Sequence, residues 1–457
     1  MVWNAYLYDT VTGALGQKID IPAFSWSVSV SDSSFSTTRD KGTGVDDVSG
    51  LQVPWSQINA STPEARAAML MPYKRGIVLF WKQEGDDSLG VPVLAGALGV
   101  RTSTRNDVEM PFVSMMGLLE DRFFVHEDPK FASGPNHTST GFWEFKNLSW
   151  RAVACEILQQ AIKRKPGGAL PIDLPYLGEK GTHQLPDDGQ TYEPPKPPIL
   201  TDKQPDNMSK EQREAYDKRK DAAEKQWEAA KARLDGRSIY RDFDVSSHSV
   251  AELLTSISNQ DKGPDLQFRP YLADDQHIRF RFEAGSDADV FLLQKTRLSL
   301  SSGPWGGTLE NIRVDRAAPY MRVFATGAGS DDATLCAFQQ DLSLVSRADP
   351  WPLRESVLSN NNVEDFRTLD GQAKSLLNAT NRPLMQVRGE IWADDVDASG
   401  LPLHPLGSFW PGELFDVAID GFPDLPDGVY PMRLMQMTGD ESAKVELLFD
   451  VVADPVM

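Results

Sequence analysis

Apolar and polar residues alternate along the first 125 residues, and this pattern predicts β-strands. In the run 24–31, four apolar residues alternate with four serines, so one face of the strand is expected in a core and the other in water. Further strands are predicted at 76–82, 91–100 and 108–118, and a turn at 9–13. Several strands at this short spacing favour a barrel or a sandwich.

A helical spacing replaces the alternation in the middle of the chain. Ser149 precedes an apolar helical face that extends over 150–162. Ser249 and Glu252 have the spacing of a capping box at the start of a second helix. Strands are predicted before each helix and after the second one, at 142–145, 239–245, 266–271 and 278–282. The order of these elements indicates an α/β unit.

The two helices are separated by an insertion at about 165–237. Its first part is rich in proline and glycine and predicts an extended loop, and a long helix follows at 209–234. Tyr216, Trp227 and Leu234 lie on one narrow apolar stripe of that helix. The stripe predicts either packing on the helix's own domain or a contact with another subunit or a neighbouring protein.

The last 160 residues return to a β pattern. Strands are predicted at 297–301, 311–314, 320–326, 385–392 and 414–419, with a final hairpin of 430–437 and 443–451. One amphipathic helix interrupts them at about 363–378. The fold class expected from the whole pattern is a β-rich α+β chain of several domains.

Size and charge narrow the function classes. A chain of 457 residues is expected to form two to four domains, because single cores rarely exceed about 250–300 residues. Sixty-six acidic residues outnumber 46 basic ones, which leaves a formal net charge of −20. Nucleic-acid binders usually carry a basic surface, so the charge argues against binding to DNA, RNA or an anionic membrane.

Cysteine content and hydropathy bear on the compartment. Two cysteines, Cys155 and Cys336, exclude a disulfide-rich scaffold and a zinc site built mainly of cysteine. The first residues lack the pattern of a signal peptide, and no apolar run reaches the length of about 18 residues typical of a membrane span. The chain is therefore expected to be made in a cytoplasm and to be soluble.

Metal and cofactor motifs are weak. The histidines form neither HExxH nor a Cys/His cluster; they are His126, His137, His183, His248, His277 and His404. Asp395, Asp397 and Ser399 match the first half of a calcium loop, but Leu406 stands where the bidentate glutamate should be. An acidic surface turn is favoured over calcium there, and no cofactor is predicted.

Catalytic motifs are equally weak. The stretch 327–330 lacks the Lys-Ser/Thr of a phosphate loop, and Cys155 lies among the core positions of its helix. Three tryptophans, Trp305, Trp351 and Trp410, adjoin proline or glycine and are the best candidates for exposure and sugar binding. The residues predict no active site, and the chain is not expected to be an enzyme.

Several stretches together resemble a known family. They are 6–13 with 25–27, 76–81 with 93–96, 249–254 with 263–270, and 410–417 with the final hairpin. In these stretches the chain resembles the tail hub, or minor tail, proteins of long-tailed, non-contractile phages of actinobacteria. These proteins are related to the baseplate hubs of contractile phages. The insertion 165–237 lies outside the resemblance.

The resemblance implies an architecture. It implies two tail-tube-like β-barrel domains, at 1–125 and 297–457, which flank an α/β middle region at 126–296 that carries the insertion. It also implies a homotrimer at the tail tip of the virion, whose ring adapts the six-fold tail tube and distal tail ring to a three-fold tip.

The implied partners are the distal tail protein ring, the C-terminus of the tape-measure protein and other tail-tip proteins. Genomic DNA would pass through the ring without specific binding. Two alternatives stay open, a carbohydrate-binding tip protein that contacts the host receptor and a cell-wall hydrolase.

Overall fold

A computed structural model of the chain describes most of its residues. The exceptions are 1, 22, 38–49, 126–141, 146–147, 182–196, 202–208, 235–237, 242–248, 261–262, 293–296, 331–333, 362, 364–365 and 453–457. All structural statements below concern the described residues.

The described elements fall into three parts along the chain: a β-rich first part, a mixed middle part and a β-rich last part. The strands of the first part are β1 (Val2–Asp9), β2 (Leu15–Ile19), β3 (Phe24–Ser29), β4 (Ser33–Thr37), β5 (Leu51–Pro54), β6 (Arg75–Lys82), β7 (Val91–Leu98), β8 (Thr102–Ser103), β9 (Asp107–Met110) and β10 (Phe112–Val113). Its helices are a 3-10 turn (Trp55–Gln57), α1 (Pro63–Met69) and α2 (Met115–Glu120).

The middle part holds most of the helices. Its strands are β11 (Phe142–Phe145), β12 (Ile172–Asp173), β13 (Ser238–Arg241), β14 (Leu266–Asp274) and β15 (His277–Ala284). Its helices are α3 (Trp150–Gln159), continued by a π-helical turn (Gln160–Arg164), α4 (Pro198–Thr201), α5 (Lys210–Leu234) and α6 (Val250–Ser258).

The last part is again mostly sheet. Its strands are β16 (Leu298–Ser302), β17 (Glu310–Ala317), β18 (Arg322–Thr326), β19 (Cys336–Gln340), β20 (Glu355–Ser359), β21 (Leu384–Trp392), β22 (Leu414–Ile419), β23 (Gly428–Asp440) and β24 (Lys444–Val451). Its helix is α7 (Phe366–Thr380).

The sheet β10-β7-β6-β1-β2 is the centre of the fold because both of its faces are buried. Successive side chains of a strand point to opposite faces of its sheet, and β6 carries apolar side chains on both faces. Leu79 and Trp81 enter one hydrophobic core, whereas Val78 and Phe80 enter a second core on the opposite face. The central sheet therefore lies between two hydrophobic cores and contributes side chains to each.

The first core unites the two ends of the chain. The sheet β16-β22-β23-β24-β21-β17 is extended by the hairpin of β3 and β4, because β3 pairs with the end of β23. Trp26, Phe415 and Phe449 all lie in this core. The indole of Trp3 donates a hydrogen bond to the carbonyl of Ser442 at 3.0 Å. Segments more than 400 positions apart thus form one structural unit.

The second core belongs to the middle part. The apolar faces of α3, α6, β14 and β15 form this core together with Val78, Phe80 and Ala95 of the central sheet, and β14 packs against β7. Ser149 caps α3 by accepting a hydrogen bond from the backbone of Ala152. Pairing and packing both cross positions 125 and 296, and the division into three domains stays a prediction.

A small α/β unit projects from the edge of the last sheet. It lies between β17 and β21, which pair with each other, and contains the sheet β19-β18-β20. Helix α7 covers one face of this sheet through Leu369, Ala373 and Leu377, which form a third core with Val323 and Ala325.

Most predicted elements are confirmed, with three differences. No described sheet closes into a barrel: the edge strands β16 and β17 approach each other through one backbone hydrogen bond, from Leu309 to Ser301. The strand predicted at 108–118 is wrong at its end, because Ser114 caps the helix α2. The capping box at Ser249 is also wrong, since the Ser249 hydroxyl donates to the carbonyl of Glu120 instead. The β-rich, multi-sheet fold class is confirmed.

Candidate functional site

A buried polar junction forms where three distant segments meet. Arg269 of β14 and Glu413 before β22 form an ion pair at 2.8 Å, and both side chains are largely buried. Gln267 donates from its amide nitrogen to the carbonyls of Ser29 at 3.2 Å and Pro411 at 3.3 Å. Its amide oxygen accepts a hydrogen bond from Arg269. The middle part is thereby bonded to both ends of the chain.

A second buried pair extends this junction. Arg433 of β23 contacts the carboxylate of Asp265, and its guanidinium lies 4.4 Å from the ring centre of Phe291. The guanidinium of Arg269 lies over Trp410 in the same manner, at 5.6 Å. Each cation therefore has a carboxylate partner and an aromatic face, an arrangement that suits the planar arginine group.

Burial controls the ionisation of this junction. It raises the pKa of Glu413 above its ordinary value, and the nearby positive charge of Arg269 opposes that shift. Burial likewise lowers the pKa of Arg433 to about 10. Buried ion pairs contribute little net stability because desolvation offsets their attraction. The junction is better suited to fixing the orientation of the middle part than to strengthening the fold.

The backbone at Gly412 lies close to Leu292 and Leu434 beside this junction. Its φ of +96° lies in the left-handed region that disfavours side chains, and a Cβ there would meet the side chain of Leu292 at 2.6 Å. Its N–H donates to the carbonyl of Leu434 at 2.6 Å. The stretches 263–270 and 410–417, two of those that carry the family resemblance, therefore contact each other here.

The acidic turn at 395–399 is held by its own hydrogen bonds. The carboxylate of Asp397 accepts hydrogen bonds from the hydroxyl and N–H of Ser399 and from the N–H of Leu401, and these bonds lower its pKa. Leu406 is buried in the first core. The described residues contain no group of three or more His, Cys, Asp or Glu able to hold a metal.

The stripe on α5 faces its own chain where it is described. The hydroxyl of Tyr216 donates to the carbonyl of Ile199 at 3.4 Å, and Trp227 is buried. The side chain of Leu234 lies outside the described residues. The predicted contact of this stripe with another subunit or a tip protein stays a prediction.

The remaining candidate groups are scattered. His277 lies 2.9 Å from Asp274, and His404 is buried, which lowers its pKa. Burial raises the pKa of the Cys155 thiol to about 12, whereas Cys336 is exposed. The other four histidines, His126, His137, His183 and His248, lie outside the described residues. No helix in the described part of the chain is both long and apolar enough to cross a membrane.

Two exposed apolar features stand out on the last part of the chain. Trp305 is 99% exposed, whereas Trp410 is buried and Trp351 is half-buried. On the sheet β19-β18-β20, the face opposite α7 carries a row of Phe338, Phe324 and Val357, which are 44%, 40% and 68% exposed. We call this row the open face.

Polar pairs border the open face. On one side lies the ion pair of Arg322 with Glu355 at 3.2 Å, and on the other the hydroxyls of Thr326 and Ser359 are 2.8 Å apart. Apolar surface with a polar rim is typical of protein interfaces. Sequence reasoning did not identify this face, although alternation in 322–326 and 355–359 contains its signal.

Comparisons with known proteins return solved structures of low sequence identity, which include tail and baseplate proteins, type VI secretion components and a gene transfer agent virion. No protein-family model matches the chain, and no curated protein matches it. The chain is similar to a tail protein from Neisseria meningitidis MC58, with 12% identity, a TM-score of 0.41 and coverage of 99% of this chain and 97% of that one. It is also similar to the 43 kDa tail protein of prophage MuSo2 from Shewanella oneidensis, with 11% identity, a TM-score of 0.44 and 98% coverage of both chains.

A third similarity is to the baseplate of phage P2 in its activated conformation, with 8% identity, a TM-score of 0.32 and coverage of 99% of this chain and 100% of that chain. TM-scores below 0.5 do not establish a common fold. The three neighbours described here are a tail protein, a prophage tail protein and a phage baseplate.

Proposed function

We propose that the chain is a structural, non-enzymatic component of a phage tail tip, the tail hub of a long-tailed, non-contractile phage of actinobacteria. It forms a homotrimeric ring that adapts the six-fold tail tube and distal tail ring to a three-fold tip. Its partners are the distal tail ring, the C-terminus of the tape-measure protein and other tip proteins. The phrases of sequence that resemble tail hub proteins support this assignment.

The observation that carries the proposal is the surface left uncovered by the last sheet and its small α/β unit. β16 and β17 are edge strands of the last sheet that are linked to each other by one backbone hydrogen bond and not by a ladder, and the open face exposes a row of three apolar side chains. Incompletely paired edges and exposed apolar rows are typical sites of pairing with other chains. In the ring, neighbouring subunits would complete the two tail-tube-like domains.

The acidic balance suits a channel for DNA. A net charge of −20 would repel phosphates, so the genome would pass without binding. A basic lumen in the assembled ring would contradict this part of the proposal.

The test is the solution mass of the full chain, measured by light scattering at several concentrations. Three chains of 50.6 kDa give about 152 kDa, the mass expected for the trimer. A stable dimer or tetramer would contradict the three-fold ring.

Helix α5 offers a separate test of the outer contact. Trp227→Asp with Leu234→Asp would remove the apolar stripe, and assembly would weaken only if the stripe also contacts a neighbouring tip protein. If assembly were unchanged, the helix would serve only its own insertion.

A further inference from the structure

The turn between β16 and β17 holds an indole in solvent. Trp305 follows Gly303 and Pro304, and its side chain is 99% exposed. The backbone at Gly306, with φ of +112°, turns the chain back towards β17. Tryptophan usually buries a large area, so an indole held out by a tight turn is available to a partner.

A groove with two carboxylates lies beside this indole. Its volume is about 410 Å³, and its lining includes Ser301, Pro304, Ile419, Val429, Asp420 and Asp427. One oxygen of Asp427 accepts the N–H of Gly421 at 2.7 Å. The carboxylate of Asp420 has no hydrogen bond or ion pair with any residue that the structure describes, and no described lysine or arginine lines the groove.

We infer that this groove binds an arginine side chain presented by a basic segment of another protein. An exposed indole next to two carboxylates attracts a cation, and tryptophan is the strongest aromatic partner for one. Arginine fits best, because its flat guanidinium can lie on the ring while its N–H groups reach a carboxylate.

Charge favours this occupant over other classes of ligand. The net charge of −20 steers a basic segment towards the groove and repels phosphate-bearing ligands. A neutral sugar could lie on the same indole, but it would not gain from the two negative charges. The inference stands whether or not the chain is a tail protein.

The experiment uses the full chain and a dye-labelled peptide with three arginines spaced by glycine and serine, capped at both ends. Binding is followed by fluorescence anisotropy at low and at physiological salt. We expect Trp305→Ala and the pair Asp420→Asn with Asp427→Asn each to weaken binding about tenfold. Lysine in place of arginine in the peptide should also weaken it, and so should salt.

A matched pair of variants separates the groove from general charge. Asp87→Asn with Asp275→Asn makes the same change in net charge at two exposed carboxylates outside the groove. Binding in this pair should stay within about twofold of the wild type. All variants change exposed residues, so their melting temperatures should match the wild type.

Three outcomes would overturn the inference. The peptide does not bind; the matched pair weakens binding as much as the groove pair does; or a neutral trisaccharide binds through Trp305 while the arginine peptide does not. The first outcome would show that the groove does not bind arginine, and the second that the peptide is attracted only by the overall negative charge. The third would make the groove a sugar site.

Discussion

Strands β6 and β18 both alternate apolar side chains on two faces, but they differ in what covers those faces. In β6, Leu79 and Phe80 point to opposite sides and each enters a core of the same chain. In β18, Val323 enters the core under α7, whereas Phe324 is 40% exposed on the open face. Both faces of β6 are therefore covered by the same chain, whereas one face of β18 is left exposed.

The difference separates residues that stabilise the chain from residues available for assembly. Phe324 contacts Phe338 with a centroid distance of 5.1 Å, and Arg322 lies 5.8 Å from the ring of Phe338. These contacts order the open face without covering it. We expect mutations in β6 to change stability first, and mutations on the open face to change association first.

The largest expected effect is at Phe80. Replacement by alanine removes a ring that is fully buried and lies edge-on to Tyr6 at 5.7 Å. Phenylalanine-to-alanine changes in cores cost about 3–5 kcal/mol because they remove contacts and leave a cavity. Chemical denaturation of the full chain would measure this loss of unfolding free energy.

Phe80→Leu gives a graded control, because it keeps an apolar side chain in place and should cost less than about 2 kcal/mol. Equal and small losses for both variants would contradict the two-sided burial of β6.

The next largest effect tests how the polar junction holds the middle part against the two ends of the chain. Arg269→Met leaves Glu413 buried without its cation, and breaking a buried pair on one side costs roughly 3 kcal/mol. The double variant Arg269→Met with Glu413→Leu removes both charges and should recover most of that loss. A double-mutant cycle by denaturation measures the coupling. Additive losses would mean that the pair does not act as a unit.

Local patterns predicted many elements of this fold, because alternation and capping depend on neighbouring residues. The run 24–31 contains the predicted strand, with Phe24, Trp26 and Val28 buried and the serines between them on the other face. The end of the predicted strand 108–118 failed, since the side chain of Ser114 begins a helix there. That capping signal was present in the sequence and was outweighed by the apolar run.

Long-range pairing could not be predicted in this way. β3 pairs with the end of β23, and nothing within 24–31 identifies a partner more than 400 positions away. The same limit applies to the polar junction, where Arg269 and Glu413 are 144 positions apart. Trp305 was one of three tryptophans proposed for exposure, and only tertiary packing distinguishes it from the buried Trp410.

A smaller effect is the pH dependence due to Glu413. Its pKa is raised in the folded chain, chiefly by burial, so the folded state binds this proton more readily than the unfolded state. Stability from this group therefore rises as pH falls from neutrality towards the unfolded value of about 4.3. The difference in unfolding free energy between wild type and Glu413→Gln should shift in favour of the wild type over that range. A shift in the opposite direction would mean that the positive charge of Arg269 lowers the pKa of Glu413 by more than burial raises it.

The smallest expected effect on stability is at Phe324, and its neighbour Val323 is the matched control. Val323→Ala removes a fully buried side chain under α7 and should cost about 2 kcal/mol. Phe324→Ala removes a larger side chain but should cost no more than about 1 kcal/mol, because its ring is partly in water already. The same variant should weaken association measured by light scattering, which Val323→Ala should leave unchanged wherever the chain stays folded. If Phe324→Ala cost more than Val323→Ala, the open face would have to be covered within the chain itself, and the contrast between β6 and β18 would no longer hold.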